Sequence, residues 1–146
     1  LTPLEYDAVA HMVGCADVIV DVQRFLEAER YATISVARPL ILMLYKYLTG
    51  KLTVDYAADN ARITGITVPK VADPTTCEIK QPADFTGISE TFRDVLEVKL
   101  YEYVNMKIPD FELLAIACDP RLKLNFFDDI AEYAEDREYW LGLKDK

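Results

Sequence analysis

The sequence predicts an all-α fold: an irregular helical domain of about five to six helices with one long Pro-rich loop. Three observations lead there. Apolar residues, 51% of the chain, recur mostly at helical spacing. Helix starts and stops are written at Thr2-Pro3, Gly50, Pro109, Asp119-Pro120 and Gly142. No stretch has the alternation of a convincing strand. The 146 residues make one domain, 1–146, able to bury a core without disulfides or metals.

Thr2 can cap the first helix, Pro3 suits its first position, and Glu5 completes a capping box. Leu4, Ala8, Met12, Cys15, Ile19, Val22 and Leu26 then carry the helical period to about Glu29. Thr33 to Leu48 is the most hydrophobic segment and reads as a central buried helix ending at Gly50. With Pro39 inside it, this helix either begins near Ala37 or kinks. A shorter helix is expected between Leu52 and Ile63. Residues 64–87, with Gly65, Pro69, Pro74, Pro82 and Gly87, read as a long loop.

Ile88, Phe92, Val95, Leu96, Leu100, Tyr103 and Val104 mark the next helix, with Arg93 and Glu97 as an i,i+4 pair on its wet face. Pro109 ends it and starts a short helix over Asp110–Ala117. Asp119 can cap the following turn, with Pro120 at its first position. A last helix is expected from about Asp128 to Leu141, with Ile130, Tyr133, Ala134, Trp140 and Leu141 on its dry face. Tyr101, Tyr103, Phe111, Phe126 and Phe127 are expected to pack.

The formal net charge is −9, and residues 86–146 hold 14 acids against 8 bases. Such a balance argues against a free-standing DNA clamp, because phosphate affinity comes from clustered Lys and Arg. Cys15, Cys77 and Cys118 have no CxxC partners and are odd in number, which fits a reducing, intracellular compartment. No secretory start and no 18-residue apolar run occur, so no membrane partner is expected. A start at Leu1 is in keeping with an excised or incomplete chain.

The chemistry-bearing residues are sparse. The only histidine, His11, sits within the first helix without an orienting carboxylate and reads as a packing residue. No GxGxxG, P-loop, HExxH or GxSxG occurs. Asp128, Glu132 and Asp136 would line up on the last helix, and Asp17 with Asp21 on the first. A stripe on one helix is an exposed face, whereas a metal needs carboxylates converging in a cleft. No metal site and no catalytic residue are therefore expected. The segment Leu114-Ala115-Ile116-Ala117-Cys118-Asp119-Pro120-Arg121-Leu122-Lys123 stands out. Its Arg121 and Lys123 leave a rigid turn, where they either pair with local carboxylates such as Asp119 or Asp128, or reach phosphate.

Two further blocks join this one. Leu1-Thr2 opens a long amphipathic helix, and Tyr31-Ala32-Thr33-Ile34-Ser35-Val36-Ala37-Arg38-Pro39-Leu40-Ile41 follows it. Lys99-Leu100-Tyr101-Glu102-Tyr103 then precedes the Asp119-Pro120-Arg121 segment. In this order the blocks resemble the helical insertion of hAT-superfamily transposases, transposable-element proteins that often carry a BED-type zinc finger. Cys118 stands where that family usually has Leu. The resemblance singles out Thr33, Ser35, Asp119, Pro120, Arg121 and Lys123, with Arg121 and Lys123 as candidate DNA contacts.

What it implies is a non-catalytic helical segment of a nuclear protein that supports DNA binding, transposition and oligomer architecture. In the family, an RNase H-like core binds divalent metal such as Mg²⁺ through an Asp-Asp-Glu set lying outside the insertion. The zinc finger and the C-terminal dimerisation block are likewise not matched. DNA would be met through the parent protein, and a homo-oligomer is implied. Two other readings of the residues remain: a stand-alone acidic helical interaction module, and a metal-dependent nuclease using the acid-rich last helix.

Overall fold

The computed structural model describes residues 2–27, 34–54, 60–63, 66–69, 79–122 and 124–145. The fold is helical in class. The described helices are α1 (Pro3–Leu26), α2 (Ile34–Leu48), α3 (Ile88–Asn105), α4 (Asp110–Cys118), α5 (Asn125–Ala131) and α6 (Arg137–Gly142). Short 3-10 turns occupy Pro82–Asp84 and Leu143–Asp145.

The capping box of α1 forms as expected. The Glu5 N–H donates to Thr2 Oγ1 at 3.3 Å, and the Thr2 N–H donates to Glu5 Oε2 at 2.6 Å. The helix buries His11, Cys15, Val18, Asp21 and Val22 on one side. α2 runs through Pro39. Pro39 is the sixth residue of α2, past its first turn, so the helix starts before Ala37 and the proline cannot donate to the helix ladder. Gly50 closes α2 at φ +75°, with the Lys51 N–H and Leu52 N–H both donating to the Lys46 carbonyl. A Cβ at Gly50 would lie 2.7 Å from that of Ala83, so both conformation and space require glycine there.

α2 is the wall shared by two apolar clusters. Leu40, Leu44, Tyr47 and Leu48 pack with Cys15, Val18 and Val22 of α1 and with Phe85. Leu42 packs with Val104, Ile116, Phe127, Ile130 and Trp140. The apolar run of α2 is thus buried from two sides, as its sequence demands.

Five expectations need correction. The helix expected over Leu52–Ile63 is not formed at its end. Asn60–Ile63 is a strand, β1, paired antiparallel with β2 (Ile66–Pro69) in the register Asn60↔Pro69 to Ile63↔Ile66. Ile63, Ile66, Thr67 and Val68 are β-branched, and local β preference won over a weak helical period. β2 packs against α1. The expected loop over 64–87 therefore contains a strand, a 3-10 turn and a buried core residue, Phe85.

The single last helix is two helices. Residues 132–136 break it, and the Asp136 side chain caps α6 by accepting the Tyr139 N–H at 2.9 Å. Asn105 Oδ1 accepts the Glu135 N–H at 2.8 Å and fixes the break from α3. Asp128, Glu132 and Asp136 consequently do not share one helix. Arg93 turns from the wet face toward the Pro82 carbonyl (3.3 Å) and Asp94 (2.9 Å from Nε), rather than toward Glu97. Of the expected packing aromatics, Phe126 and Phe127 are buried, while Tyr103 and Phe111 are exposed.

Candidate functional site

Of the residues singled out by sequence, Ser35, Asp119 and Arg121 meet where the start of α2 faces the end of α4. Pro120 cannot continue α4, so the chain turns at Asp119, and the Leu122 N–H donates to the Asp119 carbonyl at 3.2 Å. The Asp119 carboxylate is buried. It accepts the Arg121 N–H (3.0 Å), Arg121 Nε (2.9 Å) and Arg121 Nη2 (2.7 Å). It also accepts the hydroxyl of Ser35, 84 residues away in sequence, at 2.7 Å. The Arg121 bonds first, then that of Ser35, hold the Asp119 carboxyl well below the usual carboxylate range. Asp119 in turn raises Arg121 above the usual guanidinium value.

This geometry sets the chemistry. A carboxylate that takes four donors and stays ionised is no general acid or base at neutral pH. Arg121 uses one edge of its guanidinium on Asp119, and the side chain is 56% exposed. Local pairing and an outward-facing cation coexist in this residue. Pro120 is exposed beside it. Thr33 and Lys123 lie outside the described residues. Arg121 also borders an open groove of about 1010 Å³, whose floor includes Leu40, Met43, Leu122 and Phe126.

A second junction lies one turn along α2, and sequence reasoning missed it. Arg38 is buried. Its Nε and Nη2 donate to the Glu112 carboxylate of α4 at 3.0 and 3.2 Å. Its Nη1 donates to the carbonyls of Tyr103 (2.8 Å) and Met106 (2.7 Å), capping the end of α3. The guanidinium carbon lies 5.9 Å from the Trp140 ring centroid. The available signal was an arginine inside an apolar run, which must find a partner. Nothing in the spacing named Glu112.

The remaining candidates separate. His11 stacks on Phe85 at 5.7 Å, and its Nδ1 accepts the Lys80 N–H at 3.4 Å. Burial and then the Lys80 charge lower its pKa. Burial pushes the Cys15 thiol up to about 11, so it is not a nucleophile at neutral pH. Cys118 is a free, exposed thiol. Asp21 is buried with Oδ2 unbonded, and desolvation raises its pKa. Among the described residues, no group of three His, Cys, Asp or Glu side chains could hold a metal ion.

Several of the described bases are also engaged. Arg24 pairs with Asp21, Lys46 with Asp129, Lys99 with Glu102 and Lys144 with Asp128. No described helix is long and apolar enough to cross a membrane. Compared with family models, curated proteins and solved structures, the chain matches none.

Proposed function

We propose that this chain is a non-catalytic helical segment of an hAT-type transposase or a domesticated relative, in which it braces the protein around its DNA-handling parts. One observation carries the reading. The block containing Ser35 and Arg38 meets the Leu114–Lys123 stretch through the Ser35–Asp119 bond and the Lys99–Tyr103 stretch through the Arg38 bond to the Tyr103 carbonyl. Stretches far apart in sequence, each resembling the family, thus form one buried junction, as expected if all descend from one scaffold. The exposed edge of Arg121 is the best local candidate for a phosphate contact, and most DNA affinity, the divalent metal and the nuclear address would belong to other parts of the parent.

The test is to sequence the coding DNA on both sides. The expected result is an open frame with catalytic Asp residues upstream and a Glu downstream. Stop codons closing the frame on both sides, with no such core, would overturn the proposal.

A second reading, a stand-alone acidic interaction module, is favoured by the net charge of −9 and by the exposed Tyr103, Met106, Phe111 and Leu114. It predicts the closed frame.

A further inference from the structure

We infer that His11 is a pH-operated latch that holds residues 79–85 against α1 when neutral and releases the Lys80 end of that segment when protonated. The imidazole is the only one in the chain, is 7% exposed, and makes its contacts to the segment with its ring face and with Nδ1. Nδ1 accepts the Lys80 N–H, so in the closed state the ring proton belongs on Nε2. Protonation puts a second N–H on Nδ1, aimed at the donor it had accepted from. Two donors then face each other, and the bond is lost.

The electrostatics around the ring agree with the geometry. Among the described residues, the charged groups acting on His11 are Lys80 on the facing segment and Asp7 one turn earlier on α1. Lys80 opposes the imidazolium more strongly than Asp7 supports it, and burial opposes it most. The neutral ring is therefore the form that the fold favours. Because the folded value lies below the ordinary 6.5, the latch stabilises the fold fully above pH 6.5 and weakens as pH falls from there.

The rest of the segment has separate anchors, which confines the opening. Gln81 Oε1 accepts the Val54 N–H at 3.1 Å, and its amide nitrogen donates to the Val54 carbonyl. Arg93 holds the Pro82 carbonyl at 3.3 Å, and Phe85 is 3% exposed. Protonation should thus free Lys80 while Gln81 and Phe85 remain seated.

The experiment is an NMR titration of the whole chain from neutral to mildly acid pH. It follows the His11 imidazole together with the protection factors of the Lys80 and Val54 amides. The expected result is an imidazole midpoint below 6.5. Across it, Lys80 protection should fall on the order of tenfold while Val54 protection holds. His11→Gln keeps an acceptor that does not titrate, and should abolish the pH dependence at Lys80. A midpoint at or above 6.5, or Lys80 protection unchanged through the midpoint, overturns the latch, and both are read on the wild-type chain whether or not the variant folds.

Discussion

Replacing Arg38 by Met tests the α2–α3–α4 junction. Met keeps much of the apolar stem and removes the guanidinium, with its two bonds to Glu112 and its bonds to the Tyr103 and Met106 carbonyls. The Glu112 side chain is 14% exposed and would keep its charge without its partner. A hydrogen bond to a charged group contributes roughly 1.5–3 kcal/mol. Four such values do not add, because the bonds share one side chain. The better guide is the loss of one member of a buried ion pair, about 3–5 kcal/mol. That is a large share of the roughly 5–15 kcal/mol total of an ordinary domain. At about 2–4 °C per kcal/mol for this size, Tm should fall on the order of 10 °C. Urea unfolding followed by far-UV circular dichroism measures the change. Adding Glu112→Leu should recover most of the loss, since an apolar pair can replace a buried ion pair. A single variant within about 1 kcal/mol of wild type, or a double variant no better than the single, would refute the reasoning.

Three further outcomes are expected. Gly50→Ala should destabilise by about 1–3 kcal/mol, because φ is +75° and Ala83 fills the space; an unchanged urea midpoint would count against this turn. Stability linked to Asp119 is present above the ordinary carboxyl value of 3.8 and lost as pH falls below it, because the folded carboxyl is held lower. Asp119→Asn should therefore flatten the acid limb of a stability–pH curve, and an unaltered limb would contradict the four-donor geometry. The isolated chain should bind duplex DNA more weakly than about 1 μM at physiological salt and show no Mg²⁺-dependent cleavage, which anisotropy and a nicking assay check. Submicromolar binding, or cleavage lost in Glu132→Gln, would reverse this expectation.

The helical class and most element boundaries were legible where the sequence carries strong local signals. The Thr2–Glu5 box, the apolar run ending at Gly50 and the Pro109 and Pro120 stops are local devices, and each fixed an element boundary within a few residues. The losses came where two weak signals compete. At Asn60–Ile63 a weak helical period loses to β-branched pairing with Ile66–Pro69, while residues 55–59 of the expected helix lie outside the described residues. The acid-rich end looked continuous because nothing in Glu132–Asp136 forbids helix. It breaks because Asn105, on another helix, binds the Glu135 N–H, and Asp136 caps a new start.

The site divides in the same way. That Arg121 pairs with Asp119 was readable from two positions of spacing beside a proline. That Ser35 reaches the same carboxylate was not readable, because 84 positions separate the two residues and no local pattern links them. Arg38 and Glu112, 74 residues apart, left no trace beyond an unexplained charge in an apolar helix.

The junction of Ser35 with Asp119 carries the account, and a double-mutant cycle measures it directly. Ser35→Ala, Asp119→Ala and the pair together are unfolded in urea, and their non-additivity reports the bond between them. The Asp119–Arg121 bonds are lost in both Asp119 variants and cancel. A 2.7 Å bond from a hydroxyl to a buried carboxylate predicts a coupling of about 1.5–3 kcal/mol. A coupling within about 0.5 kcal/mol of zero would contradict the account, because the Ser35–Asp119 bond would then not hold the two blocks together.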